Sequence, residues 1–312
     1  MIILSHTLNQ TMYKAFGLSI QSDIPLPELP QAKAADLHGA TDISVRYVDL
    51  NMTWPQHRPV PHNLICAPGQ IMFKVPDLAI FAIENGNTIH ISPEPGADED
   101  KLRLFILGSC MGAILLQRKI LPLHGSAIVI DNKAYAFVGH SGHGKSTLAS
   151  AFIQQGFCMI TDDVIAVTLN EQNLPLVSPA YPQQKLWQES LDTFGMNAGQ
   201  FRPLFERETK FAVPVKSQFA TKALPLAGIF ELIKTDCAAP GIRPFDKLQR
   251  IPLLQRHTYR RSFLADSGLT QWHFSITAKI AGSITAHQLW RPLNEPTVHQ
   301  LMDMVLDAIE KK

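Results

Sequence analysis

Apolar and polar positions follow two different rhythms along this chain. Between residues 12 and 97 they alternate at the period of strands, most clearly at Ile43–Tyr47, Gln70–Val75, Leu78–Ile83 and Thr88–Ser92. Turn-forming clusters, Glu84-Asn85-Gly86-Asn87 and Pro93-Glu94-Pro95-Gly96, separate them. Pro55, Pro59 and Pro61 predict an irregular loop over 52–62. From residue 98 the rhythm becomes helical. Leu102, Phe105, Ile106, Cys110, Ala113 and Ile114 form an apolar stripe. Asp98, Glu99 and Asp100 suit the positive end of a helix, and Arg118 and Lys119 the negative end, so a helix is predicted over 98–118.

A compact pattern follows. Strands are predicted at Ser126–Ile130 and Ala134–Val138 across an Asp131-Asn132-Lys133 turn, then a glycine-rich loop, then a helix over Lys145–Gln155 that Gly156 ends. Further strands are predicted at Phe157–Thr161 and Val164–Leu169, separated by Asp162-Asp163. Beyond residue 170 the signal weakens. The pattern gives a loop over 171–183, a helix around Leu186–Phe194, a basic stretch to about 222, strands at Gly228–Ile233, Trp272–Ile276 and Ser283–Leu289, and a closing helix over Thr297–Glu310. The expected organisation is a β-rich domain over 1–97 and an α/β domain over 98–312.

Composition narrows the function classes. A formal net charge of +1, from 28 basic and 27 acidic residues, gives no electrostatic reason to expect nucleic acid or an anionic membrane as partner. Cys66, Cys110, Cys158 and Cys237 lack metal-ligand or redox spacing and are expected as free thiols. The N-terminus has no signal-peptide pattern, and the most apolar run, Phe105–Leu116, falls short of the ~20 residues that span a bilayer. A cytoplasmic protein is the expectation.

The strongest chemical signal is Gly139-His140-Ser141-Gly142-His143-Gly144-Lys145-Ser146, which fits G-x-x-x-x-G-K-[ST] between a predicted strand and a predicted helix. The glycines let successive N–H groups turn toward phosphate oxygens, and the helix adds its positive end. Lys145 suits the β- and γ-phosphates of ATP, Ser146 is placed to ligate Mg²⁺, and Thr147 continues the binding segment. His140 and His143 fill variable positions of the loop, where a catalytic role is not expected.

Asp162 and Asp163 end the strand that follows the loop's helix, a position near the carboxyl edge of the sheet. On an extended backbone adjacent carboxylates point to opposite sides, so one can face a metal and the other an acceptor hydroxyl. His124, just before the strand at Ser126, is by itself an ordinary structural histidine. Lys185, Lys210 and Arg260 could neutralise a transferring phosphoryl group or be plain surface charges; Tyr181 and Trp187 fit packing roles.

Together His124-Gly125, the loop, Gly156 and Thr161-Asp162-Asp163 resemble the core of the HPr serine kinase/phosphorylase family. The resemblance implies a P-loop kinase core like that of HPr kinase and phosphoenolpyruvate carboxykinase, with a small β-rich N-terminal domain. It also implies Asp163 as the proton acceptor, His124 as its tuning partner, Asp162 as a support or metal neighbour, and a homo-oligomer among the open assemblies. The chain departs from the family where a glycine-rich signature ending in Arg-Asn, beside the HPr-binding surface, has no counterpart after residue 170.

A narrower group is similar over more of the chain: the HPr-kinase-like proteins of lasso peptide biosynthesis. The similarity runs through Tyr13–Leu18, Ile24–Leu29, Leu107–Ser109, Leu121–Ser126, Pro179–Pro182, Lys185–Trp187 and His257–Arg260. It implies an ATP- and Mg²⁺-dependent kinase acting on the C-terminal serine of a precursor peptide, with Arg260 among the assisting residues. An HPr-type or small-molecule kinase, and an ATP-binding regulator that transfers nothing, are the alternatives.

Overall fold

Seven short strands build the N-terminal sheet of the computed structural model, which describes residues 11–32, 41–55, 60–204, 207–293 and 297–311. These strands are β1 (Thr11–Ala15), β2 (Leu18–Ser22), β3 (Ile43–Tyr47), β4 (Leu64–Ala67), β5 (Gln70–Val75), β6 (Ala79–Glu84) and β7 (Thr88–Pro93). They lie in the order β1-β2-β3-β7-β6-β5-β4. Pro59 and the first ten residues, read above as loop and as lacking a signal, fall outside the described residues.

The inner face of this sheet, with Ile71, Phe73, Phe81, Ile83, Ile89 and Ile91, shares one core with the helical segment that follows. That segment is α1 (Glu99–Phe105), a π-helical turn at Ile106–Cys110 and α2 (Met111–Gln117), where a single helix is expected from sequence. Asp98 caps it by accepting from the Lys101 N–H at 2.9 Å. The irregular turn presents small residues to Tyr259: a Cβ on Gly112 would lie 2.8 Å from the Tyr259 ring, and one on Gly108 would lie 3.0 Å from its hydroxyl.

The rest of the chain is mixed α/β. Strands β8 (Leu121–Ile130) and β9 (Lys133–Val138) lead into α3 (Lys145–Gln154). Next come β10 (Cys158–Thr161), β11 (Val164–Leu169), β12 (Pro175–Ser178), β13 (Gln183–Trp187), α4 (Gln188–Thr193), β14 (Arg202–Leu204) and β15 (Arg207–Pro214). The remaining elements are β16 (Leu224–Thr235), β17 (Gly241–Pro244), α5 (Lys247–Arg256), α6 (Thr270–Ser283), β18 (Thr285–Pro292) and α7 (Val298–Glu310).

An eight-stranded sheet follows the order β10-β8-β11-β12-β16-β18-β17, with β9 between β8 and β16. Its side chains alternate between two cores. Ile128, Tyr135, Phe137, Phe230 and Leu232 pack with α3 and α7 on one face. Ala127, Ala134, Ala136, Val138 and Ile229 pack with α5 and α6 on the other. A small sheet, β13-β15-β14, stands beside it.

Four expectations from sequence change here. The stretch Trp272–Ile276 is helix, not strand: its aromatic and β-branched residues look strand-like, yet the buried His273, Ile276, Thr277, Ile280 and Ala281 recur at helical spacing. The 171–183 loop contains β12, and the helix expected from Leu186 begins only at Gln188 because Gln183–Trp187 pair with β15. Strand β8 starts at Leu121, so His124 lies within it, paired opposite Val164.

Candidate functional site

The loop between β9 and α3 is shaped by its glycines. A Cβ on Gly139 would sit 2.5 Å from the Leu232 carbonyl oxygen of the neighbouring strand, so only glycine lets the chain leave the sheet there. Gly144, in a left-handed conformation with φ of 98°, caps α3 and turns the first helical N–H groups outward. Lys145 is buried and bends back over its own loop, donating to the carbonyls of Gly139 at 3.0 Å and His140 at 3.1 Å. Burial pushes its ammonium down from the usual lysine range, against the pull of Asp162 and Asp163.

The acidic pair closes the opposite wall. Strands β10 and β11 both pair antiparallel with β8, and Asp162-Asp163 is the break between them. Asp163 has φ of 71°, so the two carboxylates diverge through a left-handed turn and not through the strand alternation expected from sequence. The Asp162 carboxylate accepts from the Ser126 hydroxyl at 2.5 Å, the Ser146 hydroxyl at 3.0 Å and the Lys185 N–H at 2.8 Å. Asp163 accepts from the Lys185 ammonium at 2.6 Å.

Burial alone would raise the Asp163 carboxyl. Lys185 outweighs it, with His124 adding to the pull when its ring is protonated, and the group is held well below the usual carboxylate range. Burial works on Lys185 in the opposite sense, and Asp163 overcomes it, keeping the lysine charged above its ordinary value. The pair is therefore an ion pair in which each partner extends the pH range over which the other stays charged.

His124 donates from Nδ1 to the Asp163 carbonyl at 3.0 Å, and the same nitrogen is 3.6 Å from Asp163 Oδ1. Burial lowers its pKa more than Asp163 raises it, so the imidazole is neutral near pH 7. Its main chain is held from outside the strand: the His124 N–H donates to the His257 carbonyl at 2.8 Å and the Tyr259 N–H to the Pro122 carbonyl at 2.8 Å. The segment after α5 thus lies along β8, placing the Tyr259 ring 5.7 Å from the His124 ring and the Arg260 guanidinium 5.4 Å from the centre of the Tyr259 ring.

One cleft of about 900 Å³ joins these parts. Ser141, Gly142, Gly144, Lys145, Ser146 and Thr147 line it from the loop side; His124, Asp162, Asp163, Lys185 and Arg260 line it from the acid side. Lys210 lines it too, its ammonium 5.3 Å from the centre of the Trp187 ring. Gly139, His140 and His143 are not in its wall. Gly139 and His140 give their carbonyls to Lys145, while His143 donates to the Leu232 carbonyl at 2.9 Å and faces a smaller cavity beyond the loop. Tyr181 packs in the core beneath the site.

Several participants carry no sequence signal. Ser126 is an unremarkable strand residue until it meets Asp162. Lys185, an open candidate from sequence for neutralising the phosphoryl group, is found instead buried on Asp163, a pairing that the sequence does not signal. Glu231 is buried on β16, where its carboxylate accepts from His257 Nε2 at 2.8 Å, Arg256 at 3.0 Å and Gln288 at 2.9 Å. That network anchors the segment that carries Tyr259 and Arg260. Arg291 also lines the cleft.

The donor set can be tested for a divalent cation. No cluster of three or more His, Cys, Asp or Glu side chains suited to a metal occurs among the described residues. Ser146 Oγ and Asp162 Oδ1 are nevertheless 3.0 Å apart, two hard oxygens of residues that line the cleft. That fits an ion such as Mg²⁺, which takes one or two protein oxygens and draws its other ligands from phosphate and water. No helix among the described residues is long and apolar enough to cross a membrane.

Against known proteins, no family model matches the chain and no curated protein matches it. Among solved structures, the HPr(Ser) kinase/phosphatase from Coxiella burnetii is similar at 16% identity over 61% of this chain and 97% of that one, with a TM-score of 0.33.

Proposed function

We propose that the chain is an ATP-dependent kinase that transfers the γ-phosphoryl group to a serine hydroxyl, the substrate being the C-terminal serine of a lasso peptide precursor. One observation carries this reading: Lys145 and Ser146 of a phosphate-binding loop and the Asp162–Asp163 pair share one cleft. The sequence resemblance to the lasso peptide kinases supplies the acceptor.

In this reading the loop N–H groups and the α3 terminus bind the β- and γ-phosphates, and Lys145 swings from its own carbonyls onto their oxygens. Ser146 and Asp162 are the residues that would hold Mg²⁺, which would supply positive charge against that of the phosphates. Asp163 orients the acceptor hydroxyl. As the serine oxygen bonds to phosphorus and the bond from phosphorus to the β-phosphate oxygen breaks, the serine proton passes to Asp163 Oδ1, the oxygen not held by Lys185. A carboxylate so strongly depressed is a weak base, which suits a loose transition state in which the hydroxyl proton leaves late. His124 fixes the Asp163 main chain, and Lys185 keeps the carboxylate ionised.

The test is transfer from γ-labelled ATP to a peptide ending in serine, to the same peptide with that serine moved inward, and to HPr. Labelling of the first alone is expected. Labelling of HPr would favour an HPr-type kinase, and nucleotide binding without transfer to any acceptor would leave a regulator.

A further inference from the structure

The cleft does not end at Asp163. Past Lys185 it adjoins a second cavity of about 350 Å³ that shares Leu104, Lys185 and Leu204 with it. This trench runs between two elements remote in sequence. One wall is α1 and the turn after it, with Leu104 and Leu107; the other is a single face of the small sheet, where Gln183, Ala212 and Leu204 come from three different strands.

Its charges are already matched. Arg103 pairs with Glu28 at 3.0 Å and with Asp100, and Asp100 also takes Arg202. A trench whose cations are spent on its own carboxylates does not attract a nucleotide or another anion. What the trench offers an occupant is therefore uncharged surface, from the aliphatic side chains of Leu104, Leu107, Leu204 and Ala212.

Reaction geometry gives the direction. In-line transfer puts the attacking oxygen opposite the leaving one. With the phosphates on the loop, the acceptor enters from the Asp163 end, where the trench begins. We infer that the trench holds the extended, uncharged residues that precede the acceptor serine, making it the peptide-recognition subsite of this kinase. The inference rests on the reading above. An extended chain advances about 3.3 Å per residue, so three residues before the serine reach roughly 10 Å from Asp163, the span that the test below probes.

The experiment is a length series: N-acetylserine, then peptides ending in serine with one to six uncharged residues before it. For the wild-type chain, kcat/KM is expected to rise about tenfold or more over the first three residues and then level off. Gln183→Trp, which fills the trench two residues from Lys185, should abolish that gain and leave transfer to N-acetylserine unchanged.

A wild-type rate independent of length, or a gain that survives Gln183→Trp, overturns the subsite while the kinase stands. Should Gln183→Trp melt early, a benzophenone placed two residues before the serine decides instead in the wild-type chain. Cross-linking to Gln183–Lys185 or Arg202–Leu204 supports the trench, and cross-linking elsewhere overturns it. If no acceptor is phosphorylated, N-acetylserine included, the kinase reading fails, and the cross-link still reports on the trench.

Discussion

The two ends of the cleft are built in different ways. The loop end is local: ten consecutive residues, from Val138 to Thr147, supply the turn, the lysine, the hydroxyl and the helix start. The acid end is assembled from β8, the β10–β11 break, β13 and the segment after α5, and Asp162, Asp163 and His124 there are each held by a residue at least 16 positions away. A local motif tolerates change elsewhere in the molecule, whereas an assembled one depends on every element that reaches it.

Mutations can break this contrast in order of severity. If the proposed reaction holds, Lys145→Ala should cost the most, about a thousandfold or more in phosphoryl transfer, because it removes the charge which that reading aims at the transferring group. It should leave the melting temperature close to wild type, since the lysine bonds only to its own loop. Calorimetry and a transfer assay together read both halves.

Asp163→Asn comes next, with an expected loss of about a hundred- to a thousandfold in kcat. Unlike Lys145→Ala it should also destabilise the fold by about 3 kcal/mol, because Lys185 is left charged and buried without its partner. Denaturant midpoints test this. An unchanged midpoint would mean that the acid end is not the interdependent assembly described above.

The same pair sets a pH profile. Asp163 has a folded pKa below its unfolded value, so its contribution is complete above the ordinary carboxylate range and is lost as pH falls below about 4. Lys185 has a raised folded pKa, so its contribution is complete below the ordinary lysine value and is lost only as pH rises past about 10. Lys185→Met should therefore flatten the acid limb of a stability-against-pH curve.

Ser126→Ala should have a smaller effect, about tenfold on transfer, by loosening one of three hydrogen bonds to Asp162. The smallest expected effect belongs to His124. Its folded pKa lies below its unfolded one, so stability rises with pH up to about 6.5 and is lost as the ring is forced to protonate below that. His124→Asn should reduce that slope, as thermal melts at pH 5 and pH 7 would measure.

The β-rich start, the helix that follows it and the loop with its flanking elements were all legible as periodicity and glycine spacing. The neighbourhood of Asp163 was not. Nothing near Lys185 in the chain marks it as the lysine that β13 turns inward, and nothing near Ser126 or Glu231 marks them as polar groups that the core must satisfy. The strand expected at Trp272–Ile276 failed for the opposite reason: its local pattern was clear but misleading, and packing of α6 against α5 set its conformation.

The sequence by itself determined the loop, because a turn that cradles an anion needs its glycines, lysine and hydroxyl at fixed short spacings. It determined the rhythm of the strands and helices for the same reason, since each is a repeat of two or of 3.6 residues. Only the tertiary structure decided which charges meet. An ion pair such as Lys185–Asp163 depends on a distance across the sheet, and that distance exists only once β8, β10, β11 and β13 have packed.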